Sequence, residues 1–232
     1  MIIIAANANQ VQMMISDLME AAERRGLKIH PGKTKVLTNA SAVATSRVPK
    51  TITANGQTYS VLNYDESTKC LGRKVCYSDP HEVEFSNRVA TAWGAFTKHK
   101  RELTDRRHRL HDRLKLFEAV VSSTLLYGCE SWTLKVDQQR RLQVLQRKML
   151  RMVLNVRRRT FGASADSNSV NTDTEDSESD SVLLEPWAEF LKRTAQWTQQ
   201  QLENAGLSQW TAQWKRKKWQ WAAKLVQSEV RK

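Results

Sequence analysis

Pro31 and Gly32 turn the chain into Lys33, Thr34 and Lys35. Two ammonium groups so placed could screen phosphate charge or protonate a leaving group. The same residues taken alone also make an ordinary solvated turn. They are not a phosphate-binding P-loop, because the preceding glycine spacing of that motif is missing. Metal-assisted phosphoryl chemistry needs carboxylates that hold two divalent ions about 4 Å apart. The first acidic residue here is Asp17, and no later Asp or Glu pair has a replacing spacing. Cys70, Cys76 and Cys129 form neither a disulfide framework nor a zinc knuckle, which points to a reducing compartment.

Two denser sets of cations could meet a polyanion. Residues 98–115 contain Lys98, Lys100, Arg101, Arg106, Arg107, Arg109, Arg113 and Lys115, with three His and three acids. Residues 140–159 contain Arg140, Arg141, Arg147, Lys148, Arg151, Arg157, Arg158 and Arg159, and no acid. Both lie beside apolar stripes, so one face can pack while the other meets phosphates. A solvated face is the alternative for each, and Arg157 to Arg159 could also be a nuclear-import-like cluster. The net charge of +13 is uneven: residues 1–163 carry 28 bases and 14 acids, residues 164–232 carry 9 and 10. A basic soluble protein or a nucleic-acid binder fits this balance; a membrane-spanning protein does not, since no apolar run nears about 20 residues.

These groups are positioned by an α+β chain that is mainly helical. The opening apolar run, residues 1–6, reads as a strand. A helix follows, with Val11, Met14, Ile15, Leu18 and Ala22 on one face and Gly26 as its C-terminal glycine. Leu27 and Ile29 alternate with Lys28 and His30, as in a half-buried strand. Asn55 and Gly56 mark a hairpin between strands 51–53 and 58–62. Residues 70–72 and 75–77 suggest a further strand or pair. From residue 81 the period is helical: Phe85, Val89, Ala92, Trp93 and Phe96, then Leu103, Leu110, Leu114, Phe117 and Val121. A third stripe is Leu142, Leu145, Met149, Met152 and Val156. Residues 164–181 are acidic and nearly free of apolar side chains, and read as a disordered linker. A last block, 182–232, holds six tryptophans in two helices that divide near Gly206, with Ser208 as a candidate N-cap. Most of these rings read as core, although Lys215 to Lys218 between Trp214 and Trp219 could hold nucleic acid by stacking plus charge.

Several segments in order carry a resemblance. They are GLKIHPGKTK at residues 26–35, the run Thr68, Lys69, Cys70, Leu71, Gly72, the segment LLYGCESWTL at 125–134, QRKMLR at 146–151 and RKKWQWA at 216–222. Together they make the chain similar to the C-terminal part of a non-long-terminal-repeat (LINE-type) retrotransposon reverse transcriptase. The resemblance implies a truncated palm with a primer-grip-like hairpin at 1–80, a basic thumb at 81–163, the linker at 164–181 and a Trp-rich extension at 182–232. It implies that Lys33, with Lys35 as runner-up, lies beside an incoming nucleotide, and that Lys69, Cys70, Leu71 and Gly72 act as the primer grip. Cys70 departs from the usual aromatic residue there, and Ala223 and Lys224 from a commoner Gly-His-type pair. Mg2+ is implied for the intact enzyme, with no metal site expected in these residues. The paired aspartates of the family precede the apolar run that matches residues 2–5, so this polypeptide alone is not expected to polymerise. The implied partner is an RNA or DNA template–primer duplex bound without sequence preference, and the aspartate-bearing polymerase part. The expected compartment is intracellular, nuclear or cytoplasmic. Two rivals are part of an active enzyme whose palm is encoded upstream, and a helical scaffold with no nucleic-acid role.

Overall fold

The computed structural model describes residues 2–39, 49–161 and 183–230. It is α+β and mainly helical, and divides into two compact units, Met1–Asn87 and Arg88–Lys232. The linker expected at 164–181 lies outside the described residues.

In the first unit, α1 (Ala8–Glu23) opens on a reciprocal cap. The Asn7 carboxamide accepts the Gln10 N–H at 2.9 Å, and Gln10 Oε1 accepts the Ala6 N–H at 2.8 Å. Such pairs satisfy amides that the helix leaves unbonded. The helix ends where Gly26 takes φ +70°, and Leu27 N–H then bonds back to the Ala22 carbonyl. α1 lays Val11, Ile15 and Met19 over a three-stranded sheet, against Ala54 and the fully buried Tyr59. The sheet order is β1-β3-β2, with β1 Val36–Leu37, β2 Thr51–Ala54 and β3 Gln57–Leu62. β1 is parallel to β3 (Val36 opposite Val61), and β2 is antiparallel to it across the Asn55–Gly56 turn. Both turn residues have positive φ, as a two-residue hairpin turn demands.

Two strand expectations fail here. Residues 2–5 are not a strand, although exposed Ile2 and Ile4 alternate with half-buried Ile3 and Ala5. Residues 27–29 are not one either: Leu27 is exposed and only Ile29 joins the core. Alternation shows which side chains can be buried, but a strand also needs a neighbouring backbone. Among the described residues neither run has one.

β4 (Ser67–Cys70) and β5 (Arg73–Cys76) form a second hairpin, in register Cys70 to Arg73. Expected strand residues 71 and 72 are instead its turn. Buried Glu84 accepts the Lys74 N–H at 2.6 Å and pairs with Arg73 at 3.6 Å, which anchors β5. Cys76 is buried, its Sγ 3.2 Å from Ser78 Oγ. Its thiol pKa lies below the ordinary value: burial raises it, but hydrogen bonds from Ser78 and the backbone at 77–79 outweigh that.

α2 (Pro80–Lys98) runs into the second unit, which continues with α3 (Lys100–Thr104), α4 (Leu110–Phe117), α5 (Ser123–Leu125) and α6 (Val136–Val153). α4 and α5 are joined by a π turn at Glu118–Ser122. Beyond residue 183 lie α7 (Trp187–Asn204) and α8 (Trp210–Val230).

The packing of α8 explains the π turn. Trp210 is fully buried, stacks on Phe117 with centroids 5.6 Å apart, and donates its indole N–H to Ser122 Oγ at 2.6 Å. Residues five apart stand about 140° round an α-helix. Across a π turn, whose bonds run from i to i+5, they come round to the same side of the helix. The turn therefore lets Phe117 and Ser122 reach one indole. The Trp210 backbone N–H donates to Gln146 Oε1 at 3.0 Å, so α6 supplies a cap for α8. Ser208, the expected cap, instead accepts from Arg216 at 3.2 Å. On the next turns Trp214 is buried and Lys218 donates to the Trp132 carbonyl at 3.1 Å.

Candidate nucleic-acid interface

The acid-free run at 140–159 divides at the end of α6. Within the helix, Leu142, Leu145, Met149, Leu150 and Val153 are buried along one side. Arg140, Arg141, Val144, Arg147, Lys148 and Arg151 fall within an arc of about 120° on the other, spread over roughly 16 Å of axis. Arg140, Arg141 and Lys148 are exposed, and Arg147 and Arg151 are half-buried. The helix is thus a rod whose inner face is mostly apolar, with buried Gln138 and Gln146 among it, and whose outer face is cationic apart from exposed Val144. Aromatic rings flank the stripe. Lys148 Nζ lies 5.4 Å from the Trp93 ring centre, and the Arg151 guanidinium 5.9 Å from that of Phe190. Burial, reinforced by Arg147, pulls the Arg151 pKa down, but an arginine so placed remains charged.

Past the helix the arginines do other work. Arg158 donates through both Nε, at 2.8 Å, and Nη2 to the Glu185 carbonyl, and its guanidinium lies 5.8 Å from the Trp187 ring centre. The Glu185 carboxylate accepts Arg159 N–H at 3.2 Å and a two-pronged Arg193 at 2.8 and 2.6 Å. Here β6 (Thr160–Phe161) pairs antiparallel with β7 (Leu183–Leu184). The Arg157 and Arg159 side chains stay exposed.

The Arg193 hydrogen bonds, foremost, hold the Glu185 carboxyl at about 2, against an ordinary 4.5. A depressed carboxyl stabilises the fold fully above its ordinary value and loses that contribution as pH falls through the folded value. The second unit is therefore expected to lose stability between about pH 4.5 and 2. In Glu185→Gln that acid-side loss should shrink, with lower stability at pH 7. Urea midpoints of both proteins across this range check it; identical pH profiles would contradict the assignment.

The run at 98–115 is not one helix. α2 ends at Lys98, α3 ends at Thr104, and the Asp105 carboxylate accepts the Arg107 N–H at 2.9 Å, which turns the chain before α4. That bond and the Arg107 side chain hold the Asp105 pKa below its ordinary value. Lys98, Lys100, Arg101, Arg106, Arg107, Arg109 and Lys115 are exposed. Arg101 pairs with Glu102 at 3.6 Å, and Arg107 with Asp105 at 3.2 Å. Arg113 corrects the sequence reading. It is 8% exposed and donates to the Val153 carbonyl at 2.5 Å, so it caps the end of α6 and does not face a solvent-borne phosphate. Burial depresses its pKa, and neighbouring Arg106 adds to that.

In the first unit, Lys33 is the exposed last residue of a 3-10 turn, Pro31–Lys33, fixed by Gly32 N–H donating to His30 Nδ1 at 3.1 Å. Lys35 donates to Ser60 Oγ at 2.8 Å, which ties it to β3. Lys69 and half-buried Cys70 lie on β4, and Leu71 and Gly72 form the turn after it. Leu71 holds φ +50° and is 87% exposed. A leucine in the left-handed region is strained by about 1–2 kcal/mol. Asp17 is exposed on α1, and among the described residues no three His, Cys, Asp or Glu gather as a metal site. The Mg2+ implied by the resemblance therefore finds no fitting donor set among them.

An uncharacterized transposon-derived protein of Caenorhabditis elegans is 27% identical to this chain over 158 residues, 67% of this chain. The chain is distantly related to a transposon-derived protein. It spans about half the length of that relative, 54% of it. No protein-family model matches, and no solved structure does. No helix among the described residues is long and apolar enough to cross a membrane.

Sequence reading missed Trp93 and Phe190 as rings beside the α6 cations, and Gln146 as the cap of α8. Each lies far along the chain from the group it meets, so only tertiary packing reveals the pairing.

Proposed function

We propose that this chain holds an RNA or DNA template–primer duplex without reading its sequence, as the end of the palm, the thumb and the helical extension of a LINE-type reverse transcriptase. The α6 face carries the reading: five cations in one stripe on a packed helix, an arrangement suited to phosphates and not to base edges. The exposed cations of residues 98–109 and Lys115 add to it. Lys33 is the residue proposed to stand beside a nucleotide, and the 1–80, 81–163, 164–181 and 182–232 segments are the proposed parts. Transfer chemistry would be supplied by the aspartate-bearing part of such an enzyme. The distant transposon-derived relative supports the class. Equilibrium binding to a primed RNA–DNA hybrid and to an unrelated DNA duplex tests the reading. Comparable affinity for both supports it; binding to neither contradicts it.

The tip of the second hairpin belongs to the same proposal. Residue 71 would sit more easily as Asn, which favours positive φ before Gly. Leu71→Asn is expected to raise stability by about 1 kcal/mol while weakening hybrid binding a few-fold, because the exposed apolar tip is there for a partner strand. Urea melts beside binding isotherms check it. A loss of stability, or unchanged binding, would contradict a role for the tip in contact.

A further inference from the structure

The tryptophans of α8 do not share one task. Trp210 and Trp214 are buried and Lys218 donates to the Trp132 carbonyl, which fixes the inner side of the helix. Trp219 stands half a helix turn round from Trp210 and is 73% exposed. Its neighbours three and four positions back are Arg216 and Lys215, both exposed; those three and four positions on are Ala222 and Ala223. Such positions are adjacent on a helix surface. The ring therefore has cations on one side, about one 5.4 Å turn away, and two methyl groups on the other that leave its face open. Between Glu203 and Glu229 the chain carries five cations and no acid.

We infer that Trp219 is a stacking platform for an unpaired nucleobase, with Lys215 and Arg216 receiving the neighbouring phosphates of a single strand. A flat open ring among cations matches a base and its backbone, since every base has a π-face and stacking tolerates any sequence. Exposed Val226 continues the apolar surface past Ala222 and Ala223, but Lys215 and Arg216 close the other side of the ring, and charged residues are depleted at the centre of protein interfaces, so the cations favour a polyanion. This site is separate from the α6 face and stands without the duplex reading.

The test is fluorescence anisotropy of the full chain with a labelled oligothymidylate and with an abasic strand of the same length and charge. The unaltered chain should bind the oligothymidylate about tenfold more tightly than the abasic strand. Trp219→Ala should abolish that preference, and Trp219→Phe should keep most of it. Helical circular dichroism should be unchanged in both, since the ring packs on little. Arg147, Lys148 and Arg151 changed together to Glu should lower absolute affinity for both strands and leave the ratio intact, which separates failure of the α6 reading from failure of this one. Equal binding of the two strands by the unaltered chain would overturn the proposal. So would an equal loss on both strands in Trp219→Ala, or a change in its sedimentation with the strand preference kept, which would make the ring a protein contact.

Discussion

Trp210→Ala is expected to remove most of the stability of the second unit. Truncating a buried Trp to Ala commonly costs about 3–5 kcal/mol, and a domain has only about 5–15 to lose. The indole is fully buried, stacked on Phe117 and bonded to Ser122. Removing it empties the space that the π turn is shaped around and leaves the Ser122 hydroxyl without that donor. Trp210→Phe should cost less, since a ring remains to stack, with the bond to Ser122 lost. Gln146→Leu should cost about 1–3 kcal/mol by leaving the Trp210 amide buried without its acceptor. Urea unfolding, followed by the helical signal, gives all three. A Trp210→Ala midpoint close to that of the unaltered chain would show that α8 is not locked onto α4 and α6 as described.

The second large effect is on binding. Arg147, Lys148 and Arg151 together changed to Glu should weaken duplex affinity at least about a hundredfold at 0.1 M salt. Each phosphate contact contributes near 0.9 of a decade per decade of salt, so three lost contacts are worth about 500-fold before any repulsion from the new carboxylates. The loss should be the same for unrelated sequences, because phosphate contacts carry no sequence information. A confounding loss of fold is least at Lys148, which is exposed; Lys148→Glu alone should still weaken binding several-fold. A loss confined to one sequence would mean that the stripe reads bases. No loss at all would leave the stripe a solvated surface.

The fold was legible in the sequence where a local signal suffices. Gly26 and Gly206 end helices with positive φ, Asn55 and Gly56 make the expected hairpin turn, and the three-and-four spacing located the helices of the second unit. Legibility failed where a distant group decides. Nothing in Leu71 announces a left-handed turn residue; pairing of β4 with β5 imposes it. Arg113 lies in a run of cations and differs from them only because its helix face meets the end of α6. The break of 98–115 was written locally, in Asp105, whose side chain competes with the helix for the Arg107 amide. The fate of the tryptophans was half-visible. Helical spacing separates Trp219 from Trp210 and Trp214, but which set meets a core depends on Phe117, Ser122 and Gln146. The stripe on α6 was the most readable part of the candidate site, because one amphipathic helix contains both its packing and its charge.

The most direct test of phosphate-directed duplex holding is the salt dependence of binding, by fluorescence anisotropy with the full chain between 50 and 200 mM salt (on the order of a fourfold change). Five contacts along α6 give an expected slope of about −4 to −5 in log affinity against log salt, or a loss of roughly 500-fold across that range. Changing Arg147, Lys148 and Arg151 to Glu should flatten the slope by about 3. Binding that stays constant from low to high salt, or a slope untouched by those three changes, would contradict the account.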